Sequence, residues 1–236
     1  MRRIIYYPPI ILPFLLLLFI FTFIFFSLFA TAVNAVFLAL GIPVWSAYLL
    51  LILSFLGSFV NIPIKEVHTE VEYIKPPRSF YGMLYPISML GPTTRKTTIS
   101  INLGGAIIPI AISAYILIKN FHAWPAFLLS TAIVIVICHT FAKIVPGLGV
   151  AMPNFNPPIS ACLLSLFSTL VFGCVSSAPF VAYLSGVLGT LIGADLLNLN
   201  KISKLNARMI SIGGAGSFDG IFITGIFSVL LTLLIL

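Results

Sequence analysis

Charge is what this chain has least of. Of its 236 residues only 7% are Asp, Glu, Lys or Arg, 60% are hydrophobic, and the mean hydropathy is +1.19. A soluble domain carries about 25% charged residues. So few cannot cover a water-facing surface, which excludes a water-soluble enzyme. Histidine is limited to His68, His122 and His139, and cysteine to Cys138, Cys162 and Cys174. No C-x-x-C pair occurs, so neither a redox motif nor a zinc knuckle is supported. The H-E-x-x-H pattern of metalloproteases is missing, as are Gly-x-Ser-x-Gly and any Ser-plus-His pair of hydrolase spacing. No metal and no cofactor is expected. The cysteines lie in or beside apolar runs and read as small packing residues. No internal repeat is found, and with it no inverted-repeat transporter signature.

Long apolar runs are what the chain has instead. A spanning helix needs about 20 apolar residues, and seven segments qualify: 9–40, 44–62, 99–118, 123–142, 157–175, 178–198 and 213–236. The expected fold is an all-α polytopic membrane protein of about seven spans, one membrane domain over 1–236. The run Ile10 to Phe29 exceeds the roughly 7–15 residues of a signal-peptide core, so it reads as an uncleaved first span. Gly41-Ile42-Pro43 separates spans one and two. Trp124-Pro125, Pro157-Pro158 and Pro179 open spans four, five and six, where the first helical turn loses no backbone donor to proline.

The net charge of +7 reflects 12 Lys and Arg against 5 Asp and Glu. In this setting the positive-inside rule explains it better than nucleic acid does. With the N-terminus in the cytoplasm, the cytoplasmic segments hold Arg2, Arg3, Lys65, Lys75, Arg78, Arg95, Lys96, Lys143, Lys201, Lys204 and Arg208, leaving Lys119 outside. The one substantial polar piece is the cytoplasmic loop 63–98. Within it Val67, Thr69, Val71 and Tyr73 alternate with His68, Glu70 and Glu72, the pattern of a strand. The expected setting is a multi-pass cell membrane, with the lipid bilayer as first partner and no nucleic acid.

All three glutamates (Glu66, Glu70, Glu72) lie in that loop, so any carboxylate within a span is Asp195 or Asp219. A carboxylate there costs about 2.5–3.5 kcal/mol on insertion scales, which makes both functional candidates by default. Asp195 stands about 24 Å along a helix starting at Pro179, and Asp219 about 26 Å from the outer end of span seven, at 1.5 Å per residue. Their levels nearly coincide. Gly189 and Gly193 form a G-x-x-x-G face of the kind that lets backbones meet. Gly213, Gly214, Gly216, Gly220 and Gly225 surround Asp219, and glycine beside a carboxylate admits an extended backbone. Two carboxylates in contact share a proton, so one activates water while the other polarises a carbonyl. Asp195 could instead cap its helix or pair with Lys201, Lys204 or Arg208, and Asp219 could complement a helix N-terminus.

Three stretches resemble a prokaryotic membrane-protein family known only as domain-of-unknown-function family sixteen-fourteen. They are Ile101-Asn102-Leu103-Gly104-Gly105-Ala106 with Pro109, the run Gly189 to Asn198, and Gly213 to Phe222. The resemblance covers roughly 95–236 and implies no activity. A second likeness concerns Asp219-Gly220-Ile221-Phe222-Ile223-Thr224-Gly225-Ile226-Phe227, which is similar to the second catalytic motif of signal-peptide-peptidase and presenilin-type proteases. That likeness implies a partner aspartate on the preceding helix, where Asp195 stands. It departs in Phe218, where the motif has Gly, in Ala194, where it has Tyr, and in having no Pro-Ala-Leu segment after Asp219.

The expectation is an intramembrane aspartyl protease-like hydrolase acting on transmembrane peptides. Asp195 and Asp219 are its catalytic pair, and Gly193, Gly216, Gly220 and Asn102 line the substrate. Asn102, next to Gly104-Gly105, is the best candidate for a polar cavity wall. His139 reads as a hydrogen-bonded packing residue. The 146–158 segment, apolar yet rich in helix breakers, is either a plain loop or a re-entrant piece. A proton- or cation-coupled transporter using the same carboxylates, and a non-catalytic assembly protein, are the alternatives.

Overall fold

The computed structural model describes residues 11–71, 93–145, 149–202, 209–214 and 220–236. Over these the chain is mostly helical with two small sheets. Three helical stretches, Ile11–Ala39, Phe121–Phe141 and Val175–Lys201, are long and apolar enough to cross a membrane. Four shorter apolar helices, Val44–Gly57, Leu103–Lys119, Asn156–Val171 and Gly220–Ile235, accompany them.

The sequence punctuation sets the helix ends. α1 (Ile11–Ala39) stops before Gly41, whose φ of +66° suits glycine, and Pro43 caps α2 (Val44–Gly57). Proline occupies the first turn of α3 (Ile108–Lys119), α4 (Trp124–Phe141), α5 (Asn156–Val171) and α6 (Ala178–Thr190). The core sits around α6, eleven of whose thirteen residues are buried. α4, α5 and α8 (Gly220–Ile235) pack against it. The Gly189/Gly193 face meets α4: a Cβ at Gly189 would stand 2.5 Å from Val134 Cγ1, and one at Gly193 would stand 2.5 Å from the Ile135 carbonyl. By contrast, α1 buries only Val33, Val36 and Phe37, near its C-terminal end.

β1 (Asn61–Val71) runs antiparallel to β2 (Thr93–Asn102), from Asn61 opposite Asn102 to Val71 opposite Thr93. The strand expected around 67–73 thus begins earlier. Pro63 lies at its register shift, on an edge where a missing donor breaks no ladder. β2 holds Ile99–Asn102, so the third apolar helix begins only at Leu103. Beyond Phe141 the chain turns through a small hairpin, β3 (Lys143–Val145) with β4 (Gly149–Ala151), before α5. Pro146 to Leu148 lie outside the described residues. α7 (Leu199–Ile202) is a single turn, and β5 (Met209–Ile212) follows it in sequence.

β5 pairs parallel with β2, placing Ile210 opposite Ile99, Ser211 opposite Ser100 and Ile212 opposite Ile101. Ile99-Ser100-Ile101 is followed, after Asn102-Leu103, by Gly104-Gly105-Ala106 ahead of α3, and Ile210-Ser211-Ile212 directly by Gly213-Gly214-Ala215 ahead of α8. No internal repeat was expected, yet at this local scale the same Ile-Ser-Ile and Gly-Gly-Ala pieces occur twice, on two strands that lie side by side. Six residues are too few for a repeat to stand out in sequence; the parallel register brings it out.

Candidate functional site

The two strands end at two breaks in helical winding. A π turn over Leu103–Ile107 precedes α3, and another over Leu191–Leu196 ends α6. A π turn displaces side chains from the regular helical face and frees backbone carbonyls, and such turns recur at functional sites.

In the first turn Asn102, 1% exposed, holds the backbone from both sides. Its Oδ1 accepts from Gly105 N at 2.8 Å, and its Nδ2 donates to Ser58 O at 2.7 Å and Asn61 Oδ1 at 3.0 Å. Ser211 Oγ of β5 donates to the same Asn61 Oδ1 at 2.5 Å. The Ser54 hydroxyl closes the far side, donating to Gly104 O at 2.7 Å. Gly104 itself lies so close to α2 that a Cβ would stand 1.9 Å from Ser54 O. The amide of Asn102 is fully engaged within the protein, so in this arrangement it is a clamp.

In the second turn Asn198, also 1% exposed, plays the donor part. Its Nδ2 donates to Ala194 O at 3.0 Å and Gly193 O at 3.3 Å, carbonyls that the π turn releases. His139 Nδ1 on α4 lies 3.3 Å from that amide nitrogen and 3.4 Å from Gly193 O. The sequence therefore anticipates His139's role as a hydrogen-bonded packing partner, though not its place beside Asp195's turn.

Asp195 projects from this second turn, half-buried, and its Oδ2 accepts from Gly213 N at 2.8 Å. Its Oδ1 has no partner among the described residues, and neither Lys201 nor any other cation there forms an ion pair with it. Gly213 reaches this position with φ +82°, and a Cβ on it would stand 2.6 Å from Ala106 Cβ of the first turn. It is thus wedged between the two π turns, holding one by its N–H and touching the other with its Cα.

Of the residues predicted to form the site, Asp195, Gly193 and Asn102 gather around β5 and the two turns. Gly193 backs against α4 instead of opening a groove. Gly220 begins α8 exposed, with open space where a Cβ would be. Asp219 and Gly216 lie outside the described residues. Sequence reasoning passed over Asn61, Asn198 and Ser211. The signal for the two amides was the one used for the aspartates: a buried polar side chain at a span end must be paired. No group of three or more His, Cys, Asp or Glu able to hold a metal occurs among the described residues.

A family described as "Protein of unknown function (DUF1614)" matches residues 55–231. The chain belongs to this family. The DUF1614 match takes in both π turns, all of β1, β2 and β5, and both aspartates. No curated protein and no solved structure matches the chain.

Proposed function

We propose that this DUF1614 member is an intramembrane aspartyl protease-like hydrolase, with Asp195 and Asp219 as its acid–base pair and membrane-embedded peptides as substrates. The observation that carries the reading is the Asp195–Gly213 bond. It ties a carboxylate at the broken end of a buried helix to the strand end that leads, six residues on, to Asp219. Among the described residues Asp195 keeps one oxygen uncommitted, as a group that must exchange a proton with water or substrate requires.

The reading includes seven spans in a multi-pass prokaryotic plasma membrane, with the N-terminus and the 63–98 loop on the cytoplasmic side. The charge asymmetry supports that orientation, and three helices long enough to span, with four shorter apolar ones, are consistent with the count. An extended peptide would enter by strand addition. β2 is flanked on both sides, which among the described residues leaves the outer edges of β1 and β5. The edge of β5 leads directly to Gly213, so substrate docks there and the 63–71 strand serves as backing.

The test is cleavage of a transmembrane peptide by purified protein in proteoliposomes. Asp195→Asn and Asp219→Asn should each abolish it with expression intact; turnover retained in both variants overturns the proposal. Paired-cysteine crosslinking at 195 and 219, with Cys138, Cys162 and Cys174 replaced, reads the geometry: efficient short crosslinks support the dyad. A pH-gradient-driven flux lost in Asp195→Asn, without cleavage, would instead assign the carboxylate to coupled transport.

A further inference from the structure

The sheet changes character along its length. On β1 the consecutive residues Ile62, Pro63 and Ile64 are all exposed, and so are Lys65 and Glu66 directly after them. Neighbouring residues of a strand point to opposite faces. Both faces of β1 are therefore open here, apolar up to Ile64 and charged from Lys65 on. Ile62 and Ile64 are 42% and 61% exposed, and Phe59 and Val60, just before the strand, are exposed too. On the charged side Glu66 pairs with Lys96 of β2 at 3.7 Å. A strand lying flat on a membrane would keep one apolar and one polar face along its whole length. Here the change cuts across the strand, as it does on an element that rises out of a bilayer.

The apolar end is the one joined to the helices. β1 starts shortly after α2 ends, and β2 runs straight into Leu103. The 14 residues of α2 extend about 21 Å at 1.5 Å each, against a hydrocarbon core about 30 Å thick. The missing length matches the strand from Asn61 to Ile64, about 10 Å at 3.3 Å per residue. Pro63, within that stretch, has no N–H to leave unpaired in lipid.

We propose that the hydrocarbon boundary crosses the sheet between Ile64 and Lys65, with the apolar end of β1 bathed in lipid and the turn that carries Asp195 below the boundary. The strand register gives the depth. Lys65 lies opposite Ile99 and Asn61 opposite Asn102. Ile210 also lies opposite Ile99, and Gly213 follows Ile212, which lies opposite Ile101. Gly213 thus stands three residues of strand below Lys65, about 10 Å, and its N–H holds Asp195 Oδ2 at 2.8 Å. At this depth the substrate of the hydrolase is narrowed to a peptide bond inside a membrane span, about three extended residues from the span's charged flank. Water-borne chains and juxtamembrane loops do not reach it. This substrate class rests on the protease reading; the depth does not.

The test is site-directed spin labelling of the full chain in lipid nanodiscs. Ile62→Cys, Ile64→Cys, Lys65→Cys and Glu66→Cys are each made with Cys174→Ser, while Cys138 and Cys162 are buried and stay. Power saturation is read against oxygen, which concentrates in hydrocarbon, and against a nickel chelate, which stays in water. The oxygen-to-nickel ratio should be several-fold higher at 62 and 64 than at 65 and 66, with the step between 64 and 65. Ratios at 62 and 64 equal to that at 66 overturn the proposal, since the sheet would then stand in water and Asp195 at the surface. Labels at 62 and 64 closed to both reagents also overturn it, in favour of a protein surface covering the strand. The labelled positions are exposed, so none of the four exchanges removes a buried contact. No arm reads cleavage, so failure here is distinguishable from failure of the protease reading.

Discussion

The turns at 103–107 and 191–196 are built alike and finished differently. The first opens α3 and the second closes α6 beside the same sheet, and both have backbone groups taken by a buried asparagine, Asn102 in one and Asn198 in the other. Both are touched by Gly213. In the first, every polar atom of the clamping side chain is engaged and no charge is present. In the second, a carboxylate is set into the turn, and among the described residues only one of its oxygens is committed. A protein that needed merely to join a helix to this sheet had a neutral solution at hand, and it used that solution at 103–107. The carboxylate at 195 costs more to place in an apolar bundle, so its presence argues for chemistry at the second turn and architecture at the first.

The largest expected effect lies on the architectural side. Gly104→Ala drives a methyl into the α2 backbone at Ser54, where rigid main chain cannot yield. Overpacking of this kind costs about 3 kcal/mol, and thermal unfolding in detergent should show a Tm lowered by several degrees or no folded protein. Gly213→Ala combines the same fault with a positive φ, and should be comparable. A wild-type Tm for Gly104→Ala would mean that the first turn is not locked against α2.

Asn102→Ala comes next. It orphans Ser58 O and Gly105 N inside the protein, at about 1–3 kcal/mol for each buried group left unpaired. Asn198→Ala should be milder, about 1 kcal/mol, because Leu197 N still bonds Ile192 O across the turn at 3.0 Å. If Asn198→Ala proved the more damaging of the two, the first turn would lose its claim to be the structural one. His139→Ala belongs with Asn198→Ala and should not add to it fully, since the two side chains share Gly193 O.

How much of this was legible in the sequence follows from the range of each signal. Helix entries were legible, because proline and glycine act on the turn that contains them: Pro125, Pro157 and Pro179 each stand where α4, α5 and α6 begin. Strand β2's last residues were not, since Ile99-Ser100-Ile101 is as apolar as the helix that follows and hydropathy cannot tell the two apart. The parallel partner β5 was hidden for the same reason and by its length of four residues. The Gly189/Gly193 spacing announced a close approach without naming the neighbour, and the neighbour is α4. Of the site itself, Asp195 and Asn102 stood out because polar groups in apolar runs are conspicuous. Their hydrogen-bond partners did not, because Gly213 and Asn61 come from distant stretches that only the sheet brings together.

The smallest expected effect on stability is the most telling. Asp195→Asn keeps an oxygen that can accept from Gly213 N, keeps the side-chain volume, and removes a charge from a half-buried place. If the carboxylate were there to hold the fold, the exchange should lower Tm as Asn102→Ala does. On the reading argued here it should change stability by no more than about 0.5 kcal/mol, the range of substitutions that break no buried contact, while cleavage falls to background. A silent Tm with lost turnover would separate the two turns by role, one clamping and one reacting. A large loss of stability would make them equivalent, and Asp195 would join Asn102 as a structural cap.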